Sequence, residues 1–182
     1  MFPFFIYAES VVESEGYMQV AIFFGSKSDT DIMKKASAVL KDFGVTYEAY
    51  ILSAHRSGEL LDKTIKEVEQ KGAEVIIAGA GLAAHLPGVI AAKTVLPVIG
   101  IPLECYSSGA NGLAGMDALF SIVQMPKQIP VATVGINNSA NAAYLAVEIL
   151  AVKYPELKKK LVEFRQKLAK DAEENGGKGV DL

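Results

Sequence analysis

The chain contains two histidines, His55 and His85, and each follows an apolar run where a strand would give way to a loop. His55 stands in Ser53-Ala54-His55-Arg56. A histidine at the mouth of a sheet is placed for proton transfer near neutral pH. The neighbouring Arg56 guanidinium can fork onto a phosphate or a carboxylate. Taken alone, such a pair is commonly a solvated loop, but its position matches that of another loop. Upstream, Gly25-Ser26-Lys27-Ser28-Asp29 ends an apolar run directly before a helical pattern. Glycine allows a tight turn there, and the following N–H groups and hydroxyls meet at a helix N-terminus, which favours an anion. Ser28 or Asp29 could instead serve only as an N-cap. Asp29 would repel a phosphate, so a sugar hydroxyl is its natural partner.

His85 belongs to a third segment, Ala78-Gly79-Ala80-Gly81-Leu82-Ala83-Ala84-His85-Leu86-Pro87-Gly88. Residues this small let a ligand approach the backbone closely and offer it few polar groups. We read His85 as orienting this loop, with a second catalytic group as the alternative. Glu104, Ser107, Ser108 and Asn111 are polar candidates in a long loop. Ser121-Ile122-Val123-Gln124-Met125-Pro126 ends a helix that would wall the pocket, and Asn137, Asn138 and Asn141 would cap the next helix. The chain lacks Gly-x4-Gly-Lys-Ser/Thr, Gly-x-Gly-x-x-Gly and Gly-x-Ser-x-Gly, which removes the signatures of P-loop, dinucleotide and hydrolase sites. Two distant histidines and a single cysteine, Cys105, provide no metal-ligand spacing, so we expect neither metal nor organic cofactor.

Around these residues two patterns alternate along the chain. β-Branched or aromatic runs occupy Val20–Phe24, Thr46–Leu52, Glu74–Ala78, Val98–Ile101 and Val131–Ile136. Helical spacing runs through Ile32, Met33, Ala36, Val39, Leu40 and Phe43 to a stop at Gly44, and through Leu60, Leu61, Ile65 and Val68 to Gly72. Further helices are expected from Pro87 through Lys93, over Met116–Gln124, and over Asn141–Val152. Alternation of this kind predicts a three-layer α/β fold: a parallel five-stranded sheet of flavodoxin-like order 2-1-3-4-5, with helices on both faces. An extra helix, Pro155–Glu173, carries lysines interspersed with acids and a narrow stripe of Leu157, Leu161, Phe164 and Leu168. In such sheets ligands sit beyond the carboxyl ends of the strands, where the candidate residues collect.

With 182 residues the chain is long enough for one domain. We expect an N-terminal extension or start-site artefact over 1–17, a single catalytic domain over 18–174 and a flexible tail over 175–182. The net charge of −3 leaves no basic excess for nucleic acid. No run of about 20 apolar residues is present to span a membrane, and the first residues lack the basic start of a signal peptide. A lone cysteine fits a reducing cytoplasm. Apolar residues make up 51% of the chain and the mean hydropathy is +0.26, as expected for doubly covered strands and a large oligomer interface.

Four ordered motifs, Gly25–Asp29, Ser53–Arg56, Ala78–Gly81 with Ala84–Gly88, and Ser121–Pro126, together resemble the N5-carboxyaminoimidazole ribonucleotide mutase family. This is the bacterial type of the phosphoribosylaminoimidazole carboxylase catalytic subunit, and the likeness extends roughly from Met18 to Glu173. It implies a flavodoxin-like subunit of a homo-octamer with active sites at subunit contacts. It also implies transfer of a carboxyl group from an exocyclic amine to a ring carbon of a purine precursor. The resemblance gives His55 proton transfer, and Ser26, Asp29 and Arg56 substrate binding. Ser28, Ser53, Ala54, Gly79, Ala80, Gly81, His85 and Leu86 would line the rest. Leu82 stands where the commoner form has another glycine, and the loop Pro102–Asp117 is longer than usual. Alternatives are a direct carboxylase using free carbon dioxide, a related nickel-cofactor-building carboxylase domain for which the chain is too short, and a mononucleotide-binding module without catalysis.

Overall fold

Val20–Phe24 (β1) is apolar at every position, and all five side chains are buried. A strand can bury both of its faces only when helices cover each side of the sheet. The computed structural model describes residues 17–105 and 112–176 and shows that arrangement. Strands Tyr47–Ile51 (β2), Val75–Gly81 (β3), Val98–Leu103 (β4) and Ala132–Thr133 (β5) join β1 in an all-parallel sheet ordered β2-β1-β3-β4-β5. Helices α1 (Thr30–Phe43), α2 (Gly58–Gln70), α3 (Leu86–Ala91), α4 (Met116–Val123) and α5 (Ser139–Leu150) fill the crossovers, and α6 (Pro155–Asn175) follows.

Alternation along each strand divides the core in two. Val20, Ile22, Phe24, Val75 and Ile77 face α1 and α5. Ala21, Phe23, Ile76 and Ala78 face the layer that holds Leu61 and Ile65 of α2 and Ile90 of α3. Val68, buried with them, and the αL glycine Gly44 after α1 stand where the helical spacing places them.

β4 runs two residues past the expected Ile101, to Leu103, and β3 and β5 differ more from the sequence expectation. β3 runs on through Gly79, Ala80 and Gly81, a stretch that composition assigns to a loop, because β4 pairs with it as far as Gly81 opposite Leu103. β5 shrinks to two residues, although Val134 still donates to the Gly100 carbonyl at 3.1 Å. The turn at Asn137, with φ of +57°, ends any further pairing.

At the amino ends of the strands, Tyr17, expected to belong to an extension, docks onto the fold. Its hydroxyl donates to Glu74 Oε1 at 3.0 Å, and Lys153 Nζ donates to Glu74 Oε2 at 2.7 Å. Burial pushes the Glu74 carboxyl up, but the hydrogen bonds from Lys153, Tyr154 and Tyr17 prevail and hold it below its ordinary 4.5. A carboxyl that releases its proton more readily when folded adds stability above its unfolded value, and that stability is lost as pH falls through the folded one. Glu74→Gln is therefore expected to lower the urea midpoint at neutral pH. Wild type and variant should converge as pH falls through the folded carboxyl's range, a comparison that urea melts at neutral and acid pH make directly.

Candidate active site

The loops leaving β1, β2 and β3 open on the same end of the sheet. β1 lies between β2 and β3, so the chain crosses to one side of it and then to the other, and the loops separate above it. A cleft of about 450 Å³ occupies that crevice.

One wall is polar. After β1, Ser26 accepts from the Ser28 N–H at 3.3 Å and so caps the short turn Lys27–Asp29. Asp29 makes no capping bond to α1. Of the two uses the sequence allows for Asp29, the structure leaves its carboxylate free of the capping one. Ser28 Oγ lies 2.9 Å from Ser26 Oγ and 3.2 Å from Asp29 Oδ1, and its single proton can serve only one of them at a time. Burial pushes the Asp29 carboxyl up, against the opposing hydrogen bonds from Ser28 and the Ser26 backbone. After β2, Arg56 Nη2 donates to the Gly25 carbonyl at 3.2 Å, which places the guanidinium directly over the first loop. Ser53 and Ala54 complete this wall. Ser57, which sequence reasoning passed over, fixes it: its hydroxyl donates to the Ser53 carbonyl at 2.9 Å and accepts from the Ser53 N–H at 3.2 Å.

The other wall is apolar, built from Ala80, Gly81, Leu82, Ala83, Leu86 and Cys105. Cys105, at the end of β4, is a second residue missed in the sequence, although its place at a strand's carboxyl end is the signal that finds it. Burial, with Asp29 and Asp117, pushes its thiol up, so it offers a neutral surface. Gly79 is among the expected lining residues but does not reach the cleft. It faces α1, and a β-carbon there would lie 2.7 Å from Met33 Sδ and 3.1 Å from Leu103 Cδ1. Its bareness lets α1 seat close to the sheet.

The histidines meet between the walls. His55 Nε2 and His85 Nδ1 are 2.8 Å apart, with the rings edge-on at 70°. His85 is therefore in direct contact with the His55 ring. A second, shallower hollow of about 420 Å³ lies on the far side of the pair, walled by Ser121 and Met125 of the fourth motif. Asn138 caps α5, accepting from the Asn141 N–H at 3.2 Å, while Asn137 accepts from the Glu104 N–H at 2.9 Å. Ser107, Ser108 and Asn111 lie outside the described residues.

A five-stranded parallel sheet with an anion-receptive first loop, a cationic second loop and a histidine pair defines a small-molecule enzyme of the flavodoxin-like class. The profile of the AIR carboxylase family matches residues 19–171, and the chain belongs to that family. An N5-carboxyaminoimidazole ribonucleotide mutase from Pyrococcus abyssi is 54% identical over 151 residues, which is 83% of this chain and 84% of the relative. The mutase of the same name from Vibrio cholerae is 46% identical over 160 residues, 87% of this chain and 96% of the relative. Among solved structures, PurE from Treponema denticola superposes with a TM-score of 0.72 at 29% identity, covering 87% of this chain and 98% of the other.

Proposed function

We propose that this chain converts N5-carboxyaminoimidazole ribonucleotide to 4-carboxy-5-aminoimidazole ribonucleotide in purine biosynthesis; the relatives it matches at about half identity are named N5-carboxyaminoimidazole ribonucleotide mutases. The observation that carries the reading is the position of the histidine pair, held between a polar wall fit for a ribose phosphate and an apolar wall fit for carbon dioxide. Ser26, Ser28 and Arg56 hold the phosphate, and Asp29 accepts from a ribose hydroxyl. The carbamate C–N bond breaks, its electron pair stays on nitrogen, and the nitrogen takes a proton. The electron-rich ring carbon attacks the released carbon dioxide, and His55 removes the proton from that carbon. One proton enters and one leaves, so a single base can serve both transfers, with His85 fixing its ring. A dry cavity keeps the intermediate in place.

The direct test follows the product from N5-carboxyaminoimidazole ribonucleotide without ATP or bicarbonate. Rapid conversion is the expected result. Product formed only from aminoimidazole ribonucleotide and carbon dioxide would move the chain to the direct carboxylases. Arg56→Ala is expected to raise KM by about ten- to a hundredfold at nearly unchanged kcat, since a charge-assisted hydrogen bond made equally in ground and transition states is lost. Initial rates over a substrate series check it.

The catalytic unit is residues 18–174, working in the cytoplasm as a homo-octamer whose subunit contacts close the cleft. Met116, Phe120 and Val123 support the assembly: they fall on one face of α4 and all three are exposed. Among the described residues no helix is long and apolar enough to cross a membrane. Sedimentation velocity on the purified chain tests the octamer.

A further inference from the structure

Ser57 occupies the cap position of α2, where a serine hydroxyl ordinarily accepts from an N–H group of the first helical turn. Its hydroxyl makes no such bond. It is turned back onto Ser53 instead, donating to the Ser53 carbonyl at 2.9 Å and accepting from the Ser53 N–H at 3.2 Å. The Ser53 carbonyl also accepts the backbone N–H of Arg56 at 3.3 Å and that of Ser57 at 2.9 Å. Leu52, the residue before, is still bound to β1, its N–H donating to the Phe24 carbonyl at 2.9 Å. The turn Ser53–Ser57 therefore starts from a residue fixed to the sheet, and one hydroxyl bonded to both peptide groups of Ser53 closes it. Between those ends it carries His55, 2.8 Å from His85, and Arg56, whose guanidinium reaches the Gly25 carbonyl at 3.2 Å. His55 and Arg56 are both exposed, so burial does not hold the turn that bears them.

On the carboxyl-transfer reading above, we propose that Ser57 is the positioning residue for both: its hydroxyl closes the turn, and the closed turn sets the His55 ring and the Arg56 guanidinium together. Ser57 lines neither the cleft nor the hollow beyond the histidines, so it acts through these two neighbours. Proton transfer by His55 is expressed in kcat, and the Arg56 contact with phosphate is expressed in KM. Loss of one hydroxyl that aligns both groups therefore moves both constants, because small displacements of reacting groups are costly. A residue serving only the fold would lower the stability and leave the constants of the folded enzyme as they are.

The test measures kcat and KM with N5-carboxyaminoimidazole ribonucleotide for the full chain and its Ser57 variants, with a urea melt of each. Ser57→Ala is expected to lower kcat about tenfold and to raise KM about fivefold. Threonine and valine are both β-branched and differ in the hydroxyl. Ser57→Thr is therefore expected to recover both constants to within about threefold, and Ser57→Val to behave as Ser57→Ala. The KM effect of Ser57→Ala should vanish when Arg56 is already alanine, and its kcat effect when His55 is already asparagine, since a residue acting through another adds nothing once that other is gone. Unchanged constants in Ser57→Ala, equal constants in the threonine and valine variants, or a KM effect that persists beside Arg56→Ala overturns the inference alone. A Ser57→Ala chain that does not fold assigns the hydroxyl to the fold and overturns it as well. A wild-type chain that makes no carboxylated product overturns the underlying functional reading and the inference with it.

Discussion

Replacing His55 by asparagine is expected to lower kcat by about two to four orders of magnitude, the usual contribution of a positioned proton-transfer group. Asparagine keeps a polar side chain of similar reach but cannot take a proton from carbon. On the proposed reading Ser26, Ser28, Asp29 and Arg56 supply the phosphate and ribose contacts, so nucleotide affinity should persist. Binding of aminoimidazole ribonucleotide by calorimetry, alongside single-turnover rates, separates the two effects. Full activity in the variant would remove His55 from the chemistry and leave a nucleotide-binding cleft. His85→Gln is the companion measurement. If His85 acts by holding the His55 ring at 2.8 Å, the variant should lose less than the His55 variant does. The double variant should lose no more than His55→Asn alone, because residues acting as a unit are not additive.

Phe23→Ala is expected to destabilise the fold by about 3–5 kcal/mol, the range for emptying a fully buried phenylalanine site. Phe23 is completely buried on β1, an interior strand, and its ring stacks on Tyr50 with centroids 5.3 Å apart. Against a typical total of about 5–15 kcal/mol, that is a large part of the stability. β1 is hydrogen-bonded to both β2 and β3, so neither neighbour can close onto the gap without disturbing the sheet. Urea denaturation should show a lower midpoint at an unchanged slope, which distinguishes lost stability from a changed unfolded state. Phe23→Leu, which keeps most of the volume, should cost much less.

The sheet was readable because its signals are local. The apolar run at Val20–Phe24, the stop at Gly44 and the regular alternation of strand and helix each require only a few neighbouring residues. Most of what the sequence obscured depended on partners far along the chain. Gly79, Ala80 and Gly81 have loop-like composition, and only pairing with β4 makes them strand. Gly79 was expected in the cleft because of its motif, yet the pleat turns it towards Met33. The capping role open to Asp29 was decided by the Ser26 hydroxyl, which holds the turn in its place. The contact between the two histidines joins residues thirty apart, beyond the reach of any spacing rule, and the sequence treated His85 as a loop anchor. Cys105 was missed for the same reason, since it meets Gly81 from the far side of the chain, whereas Ser57 acts locally on Ser53, in a turn that its residue type alone does not announce.

The parallel arrangement also separates two kinds of traffic. β1 to β4 deliver their cleft residues at the carboxyl end, while Tyr17 brings the chain in at the opposite end, against Glu74 and Gly72. Five residues of β1, roughly 16 Å of extended chain, lie between Val20 and the first loop. A tag or fusion partner joined ahead of Tyr17 would therefore sit at the far pole of the subunit.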